Sequence, residues 1–280
     1  MYLEAVTVCV DYADFLTEVI PWNQQLFDRW AIVTTPADEE TRELCRRNGL
    51  ECYTTDEFYR ERDEFNKGRG IAIGVDHLSQ RDWVLHLDAD MVLPPLTRQF
   101  LGSANLHPDV LYGCDRAMCV GRDKWQEFKR SGYLQHGNHC GLNFPKGLPL
   151  GTRWCSPRHG YCPIGAFQLW HGSVAKWRGI NTRAYPHQHN DAARSDIQHS
   201  LHWDRRNRAI LPEIVAIHLE SEPCPLGANW KGRTTRRFEA PSALNPMTGR
   251  AGAGDYAQLK QKRPFGRKEL HHDQRHRSYG

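Results

Sequence analysis

The sequence predicts an α/β fold with a mostly parallel central sheet flanked by helices, and three observations predict it. Short β-branched runs alternate with helix-like stretches through the first hundred residues. The runs are apolar on both faces, as strands covered by helices on each side must be. Acidic or hydroxyl residues stand where the runs stop, at the edge where open parallel sheets bind ligands.

Taken in order, EAVTVCV is a first strand ending at Asp11-Tyr12, and residues 14–28 follow as a helical stretch interrupted by Pro21. WAIVTT is a second strand. Thr35-Pro36-Ala37-Asp38 reads as a helix start with Thr35 as cap, and Asn48-Gly49 closes that helix. LECYTT is a third strand. FNKGRGIAIGVDHLS is a glycine-containing entry into a helix, and WVLHLD is a fourth strand. Asp11, Thr34, Thr35, Asp88 and Asp90 therefore fall at one edge. At 280 residues and 39% hydrophobic content the chain can bury a core as one large domain. Its expected organisation is a sheet-building half at 1–100, a second half at 101–235, and a basic extension at 236–280.

The stretch WVLHLDADMVLP places Asp88 and Asp90 one residue apart at the exit of an apolar strand. Two carboxylates so close repel, and near a core they also lose hydration, unless a cation compensates them. A divalent metal satisfies that requirement. An isolated Asp-x-Asp facing water in a turn is the plainer reading, and the surrounding strand order weighs against it here.

A strand ending in Asp, the Asn66-Lys67-Gly68 helix entry and LDADMVLP together resemble the GT-A fold glycosyltransferases over about residues 3–100. Two later stretches extend the resemblance: IGAFQLWHG at 164–172 is similar to an acceptor-side segment, and VAIHLESEPCPLGANWKGR at 215–233 to a late metal-ligand histidine and diphosphate loop. The resemblance implies Mn2+ or Mg2+ held by Asp90 and His218, with Asp88 a ribose or water-bridged contact. It implies a nucleotide-sugar donor against Asp11, Tyr12, Thr34, Lys67 and Arg69, with Lys231 and Arg233 on the leaving diphosphate. Gly165, Phe167, Trp170 and His171 would face the acceptor, which makes 1–100 the nucleotide-sugar-binding half of a single GT-A domain and 101–235 its acceptor-binding and catalytic half.

The chemistry suits these residue types. Loss of a nucleoside diphosphate builds charge on the pyrophosphate, which a hard divalent cation stabilises by bridging both phosphates. Carboxylates with one neutral imidazole suit Mn2+ better than a six-oxygen Mg2+ site. Lysine and arginine beside the diphosphate add positive charge. An inverting transfer also needs a base for the acceptor hydroxyl. Asp196, in ARSDIQHSLHW, is the expected base and Asp191 the runner-up; the plain alternative for Asp196 is helix capping beside Ser195.

The middle of the chain carries His136, His139, Cys140, Cys155, His159 and Cys162, donors enough for a structural Zn2+ site, but no CxxC is present and the spacing matches no zinc module. Trp154, Tyr161, Phe167, Trp170 and Trp177 interleave with Arg153, Arg158, Lys176 and Arg178; packing explains most of them, and stacking on a sugar or an extruded base is the alternative.

The net charge of +4 hides an asymmetry. Residues 1–60 hold twelve acidic and five basic residues, whereas 228–280 hold twelve basic and four acidic. The basic end suits a polyanion such as DNA. No apolar run approaches a membrane span, the N-terminus lacks a signal-peptide pattern, and the nine cysteines have no disulfide spacing. A soluble cytoplasmic protein is expected, in the host cell if phage-encoded. The favoured function is transfer from a nucleotide-sugar, UDP-linked by preference, to a hydroxymethylated pyrimidine in DNA. Small-molecule, glycan or protein acceptors are the alternatives. A nucleotidyltransferase is disfavoured because CVDYADF replaces a glycine-rich nucleotide loop. A zinc-containing nucleic-acid-binding protein without catalysis would leave the alternating first half unexplained.

Overall fold

The structure, a computed structural model, describes residues 1–134, 147–174, 185–188, 190–223 and 228–238. The strands are β1 (Leu3–Val8), β2 (Arg29–Thr34), β3 (Glu51–Thr54), β4 (Trp83–Leu87), β5 (Met91–Val92), β6 (Leu111–Val120), β7 (Cys155–Ser156), β8 (Gly160–Tyr161), β9 (Phe167–His171) and β10 (Arg208–Glu220). The helices are α1 (Ala13–Asn23), α2 (Glu39–Asn48), α3 (Lys67–His77), α4 (Thr97–Ser103), α5 (Arg122–Arg130) and α6 (Ser195–Ser200).

Eight strands form one sheet in the order β3-β2-β1-β4-β9-β6-β10-β5, and β7 and β8 form a separate small ribbon. β3, β2, β1 and β4 are parallel, β9 runs antiparallel between β4 and β6, and β10 lies parallel to β6. This is the mostly parallel α/β arrangement that the alternating pattern implies.

Side-chain alternation divides the core into two layers. Leu3 and Ala5 of β1, Trp30 and Ile32 of β2, and Trp83 and Leu85 of β4 pack with α1 and α2 residues such as Phe15, Leu16, Val19 and Leu44. Val6, Val8, Ala31, Val33 and Val84 pack on the other face with Ile71 and Val75 of α3. Burial on both faces explains why these strands read as continuous apolar runs.

The start of α2 differs from the sequence expectation. Asp38, not Thr35, is the cap: its Oδ1 accepts from the Thr41 amide at 3.1 Å. Thr35 lies one turn earlier, where its carbonyl accepts from the Asp38 amide. The first helical stretch is also shorter than 14–28, because α1 gives way to a 3-10 turn at Gln24–Leu26, soon after Pro21.

Residues Met1–Ser242 form one compact unit, in which β5 from the first hundred residues closes the far edge of the sheet beside β10. The basic tail beyond residue 238 lies outside the described residues. Among the described residues no helix is long and apolar enough to cross a membrane.

Candidate active site

β4 ends at Leu87 and β5 begins at Met91, so Asp88, Ala89 and Asp90 form the turn between a central strand and an edge strand. The Met91 amide donates to the Asp88 carbonyl at 3.3 Å, and the Asp90 carbonyl accepts from Leu219 of β10 at 2.9 Å. Pairing of β5 with β10 places His218 opposite Met91. The Asp90 carboxylate consequently meets the His218 imidazole, Oδ2 to Nε2, at 3.3 Å.

Burial opposes protonation of His218, but the Asp90 carboxylate outweighs it and raises the imidazole above its ordinary range. Asp90 Oδ1 is buried with no hydrogen-bond partner. A carboxylate oxygen left bare beside an imidazole nitrogen is what a hard divalent cation would complete. Among the described residues no three His, Cys, Asp or Glu side chains converge on one point. The two side chains that could hold a cation here are therefore Asp90 and His218. Glu220, two residues beyond His218 and with Oε1 3.9 Å from His218 Nδ1, adds a further negative charge that sequence reading missed; the alternation of HLE along a strand was its signal.

Asp88 is organised differently. Asn66 caps α3, its Oδ1 accepting from Arg69 N at 3.2 Å, so that Lys67 opens the helix and donates its ammonium to Asp88 Oδ1. His86 Nε2 lies 3.4 Å from the same oxygen. Burial favours the neutral acid at Asp88, yet the Lys67 ammonium and the His86 imidazole hold its carboxyl well below the usual carboxylate range. Burial likewise opposes the Lys67 charge, and Asp88, Asp196 and Asp90 together raise its pKa.

Asp196, the second residue of α6, joins this group. Its Oδ2 accepts from the Gly165 amide at 2.7 Å and its Oδ1 from the Ile197 amide at 2.7 Å. A Cβ on Gly165 would lie 3.4 Å from both Asp196 Oδ2 and Asp88 Oδ1 and 3.3 Å from His86, so the backbone at Gly165 links the two carboxylates. Behind them lies a buried network absent from the sequence expectation. Gln168 donates to the Pro163 and Asp196 carbonyls at 2.9 and 2.8 Å. The Tyr185 hydroxyl donates to Gln168 at 2.6 Å and lies 3.2 Å from His86 Nδ1.

Other expected residues have different places. Thr34 is fully buried and donates to Asp38 at 2.9 Å, so it supports the edge from beneath. Asp11 is exposed in a left-handed conformation, φ 59°, its amide held by Asp38. Burial and the Asp38 charge raise its carboxyl pKa. Tyr59, 45% exposed, is a missed neighbour of Asp11: burial first, then the Asp11 charge, pushes its phenol upward. Tyr12 lies under the Arg233 guanidinium, 4.9 Å from its ring.

Arg69 turns away from Asp88 to Glu57, Glu61 and Asp63, at 3.6, 3.4 and 3.5 Å. Arg233 is committed to a buried pair with Asp14, at 2.5 and 2.7 Å, and donates to the Asp11 and Arg236 carbonyls. Lys231 pairs with Glu64 at the surface, at 2.9 Å. Each spacing looked right for a diphosphate, but local carboxylates satisfy these cations. Asp191 caps its own loop, accepting from Ala193 N at 2.9 Å, in a segment tied to Glu64, Phe65 and Trp230.

The acceptor-side residues divide in the same way. Gly165 is at the site. Phe167 and Trp170 are buried in the sheet, and β9 runs away from the site, so that His171 pairs with Trp83 at the opposite edge and is held by Asp82 and Ser173. Of the zinc donors, Cys155 is exposed, Cys162 accepts from the Arg208 guanidinium, and His136, His139 and Cys140 lie outside the described residues. Trp177, Lys176 and Arg178 lie outside them as well.

No protein-family model matches the sequence, and no curated protein matches it. Among solved structures the chain is similar to mannosyl-3-phosphoglycerate synthase from Rubrobacter xylanophilus, at 15% identity, 81% of this chain, 68% of the other and a TM-score of 0.41. It is also similar to glucosyl-3-phosphoglycerate synthase from Mycobacterium tuberculosis, in complex with Mn2+, UDP-glucose and phosphoglyceric acid, at 13% identity, 80% and 73% coverage and a TM-score of 0.41. The same enzyme with UDP alone gives 12% identity, 80% and 73% coverage and a TM-score of 0.42. Likenesses this distant do not assign an activity, and the functional reading rests on the site itself.

Proposed function

We propose that the chain is a divalent-metal-dependent glycosyltransferase that moves a sugar from a nucleotide-sugar to a hydroxyl acceptor. The observation that carries the proposal is the Asp90–His218 pair: two ligand-type side chains from distant parts of the sequence meet at 3.3 Å, with Asp90 Oδ1 unpartnered, beside the edge where the parallel strands end. A divalent cation there would supply the positive charge on which a departing nucleoside diphosphate depends.

Asp90 and His218 would hold the cation, and Mn2+ suits their mixed oxygen and nitrogen character. Asp88, kept ionised by Lys67, would accept hydrogen bonds from the donor sugar or ribose. Asp11 and Tyr59 flank the end of β1 and would take the nucleobase; a uracil imide N–H is a suitable partner for the Asp11 carboxylate. Asp196 is the assigned base of an inverting transfer, held by the Gly165 amide beside Asp88. Asp191, in its separate loop, is the weaker candidate. With Arg233 and Lys231 paired elsewhere, Lys67, beside Asp88, would add positive charge on the side of the leaving group.

The sequence preference for hydroxymethylated DNA rests on the lack of a membrane-spanning run and on the basic tail, which lies outside the described residues. The test is release of free nucleotide from UDP-, GDP- and CDP-sugars with Mn2+, Mg2+ or chelator. Mn2+-dependent turnover of one donor class is expected. Turnover unaffected by chelation, or absence of turnover and binding with every donor, would overturn the proposal.

A further inference from the structure

A glutamine in a strand covered on both faces has to find partners for every polar atom of its amide, or its burial costs free energy. Gln168 of β9 is fully buried between Phe167 and Leu169, opposite His86 of β4. Its Nε2 donates to the Pro163 and Asp196 carbonyls at 2.9 and 2.8 Å and lies 3.1 Å from Ser200 Oγ, whose own hydroxyl donates to Pro163. Its Oε1 accepts from the Tyr185 hydroxyl at 2.6 Å and lies 3.4 Å from His86 Nδ1. Carbonyl oxygens cannot donate, so only one orientation satisfies the amide, with its hydrogens on the Pro163 and Asp196 side.

The two carbonyls belong to the two segments that meet at the assigned base. Pro163 stands two residues before Gly165, whose amide donates to Asp196 Oδ2 at 2.7 Å, and the second carbonyl is that of Asp196 itself. One side chain of the sheet thus ties down both sides of the Gly165–Asp196 contact. α6 has little rigidity of its own to offer: it has six residues, follows Arg194 in a left-handed conformation, φ 74°, and has no side-chain cap. A base must keep its carboxylate within hydrogen-bond reach of the hydroxyl it serves, and a misplacement of about 1 Å can cost about a hundredfold in rate.

We propose that Gln168 is the positioning residue for Asp196, holding the backbone of the base and the Gly165 segment in one fixed relation, with Tyr185 fixing the Gln168 amide in turn. The inference rests on the glycosyltransferase reading above and adds the residue on which the geometry of its base depends. Gln168 lies beneath the site and acts through Asp196, so its loss slows the chemical step and leaves donor binding as it is.

The test measures Mn2+-dependent release of nucleotide from the nucleotide-sugar by the full chain, together with amide hydrogen exchange. Gln168→Leu should lower kcat at least about tenfold and change the donor KM less than about twofold. In an Asp196→Asn background the same substitution should cost less than about twofold more, because a residue that acts through Asp196 has nothing further to lose. Gln168→Glu, isosteric and able to donate one hydrogen bond when protonated, should lose less than Gln168→Leu, and it carries the test if Gln168→Leu does not fold. Exchange of the Gly165 amide should quicken at least about tenfold in Gln168→Leu, while amides of β1 exchange as in wild type. The proposal is overturned if a folded variant keeps wild-type kcat, if KM rises in place of a fall in kcat, if the losses from Gln168→Leu and Asp196→Asn multiply, or if Gly165 exchange is unchanged. A wild type that turns over no nucleotide-sugar overturns the glycosyltransferase reading separately, and the exchange measurement still decides whether Gln168 holds Asp196 against Gly165.

Discussion

Lys67 at the first position of α3 donates to Asp88 at the end of β4, joining the helix that covers one face of the sheet to the turn that carries the metal-type carboxylates. A lysine at a helix start opposes the helix dipole, a cost usually avoided. Here the Asp88 carboxylate compensates it. Lys67→Met should remove a charge-assisted hydrogen bond and leave Asp88 with His86 alone, lowering stability by about 2 kcal/mol. Urea unfolding measures this. Donor binding should fall as well, and a variant with unchanged stability would contradict the linkage.

Asp196→Asn should retain donor affinity, because the residue lies on the Gly165 side of the site, while turnover falls by at least about a hundredfold. Steady-state kinetics separate the two effects. Near-native turnover would transfer the base to Asp191 or indicate retention of configuration.

The Asp14–Arg233 pair is structural. Burial would raise the Asp14 pKa, but Arg233 and the Phe238 amide, at 2.6 Å, hold it below the usual carboxylate range. A folded pKa lowered in this way gives stability that is present above the unfolded value near 4 and is lost as pH falls through the folded value. Asp14→Asn should therefore cost about 3–5 kcal/mol at pH 7 and flatten the acid limb of the stability profile. Denaturant midpoints between pH 3 and 7 test both parts. Equal acid sensitivity in variant and wild type would show that another carboxylate dominates.

How much of this was legible in the sequence follows from where each residue's partners lie. The alternation of strands and helices could be read because strands covered on both faces must be apolar throughout, whereas Asp90 and His218 were joined only through the resemblance of LDADMVLP and VAIHLESEP to GT-A sequences. Arg69, Lys231 and Arg233 looked like phosphate ligands because sequence spacing does not show which carboxylate a cation will meet: Glu57, Glu64 and Asp14 respectively are close. Phe167, Trp170 and His171 were misplaced for a geometric reason, since β9 enters the site at Gly165 and then leaves it along β4. Gln168 and Tyr185 were missed because their hydrogen bonds run between segments that share no local motif.

His199 gives a prediction at mildly acidic pH. Burial first, then the neighbouring His202 and His86, holds its pKa well below 6.5, and Tyr185, Trp170 and Trp203 rings lie 4.3, 4.9 and 5.1 Å from it. The folded chain keeps it neutral while the unfolded chain protonates it near 6.5, so its contribution to stability is complete above that pH and is lost below it, at up to about 1.4 kcal/mol per pH unit. His199→Phe should retain the aromatic packing and reduce the slope between pH 5 and 6.5. An unchanged slope in urea titrations at those two pH values would contradict the burial argument.

The most direct test of the central claim is calorimetric titration of UDP into wild type, Asp90→Asn and His218→Ala, each with Mn2+ and with chelator. Binding to wild type should be tighter with Mn2+ by at least about tenfold, and both variants should lose that difference while unfolding at temperatures near that of wild type. Asp88→Asn should weaken the difference without abolishing it. Wild-type affinity that ignores Mn2+, or a full metal effect in Asp90→Asn, would contradict the assignment of Asp90 and His218 as the metal-holding pair of a nucleotide-sugar site.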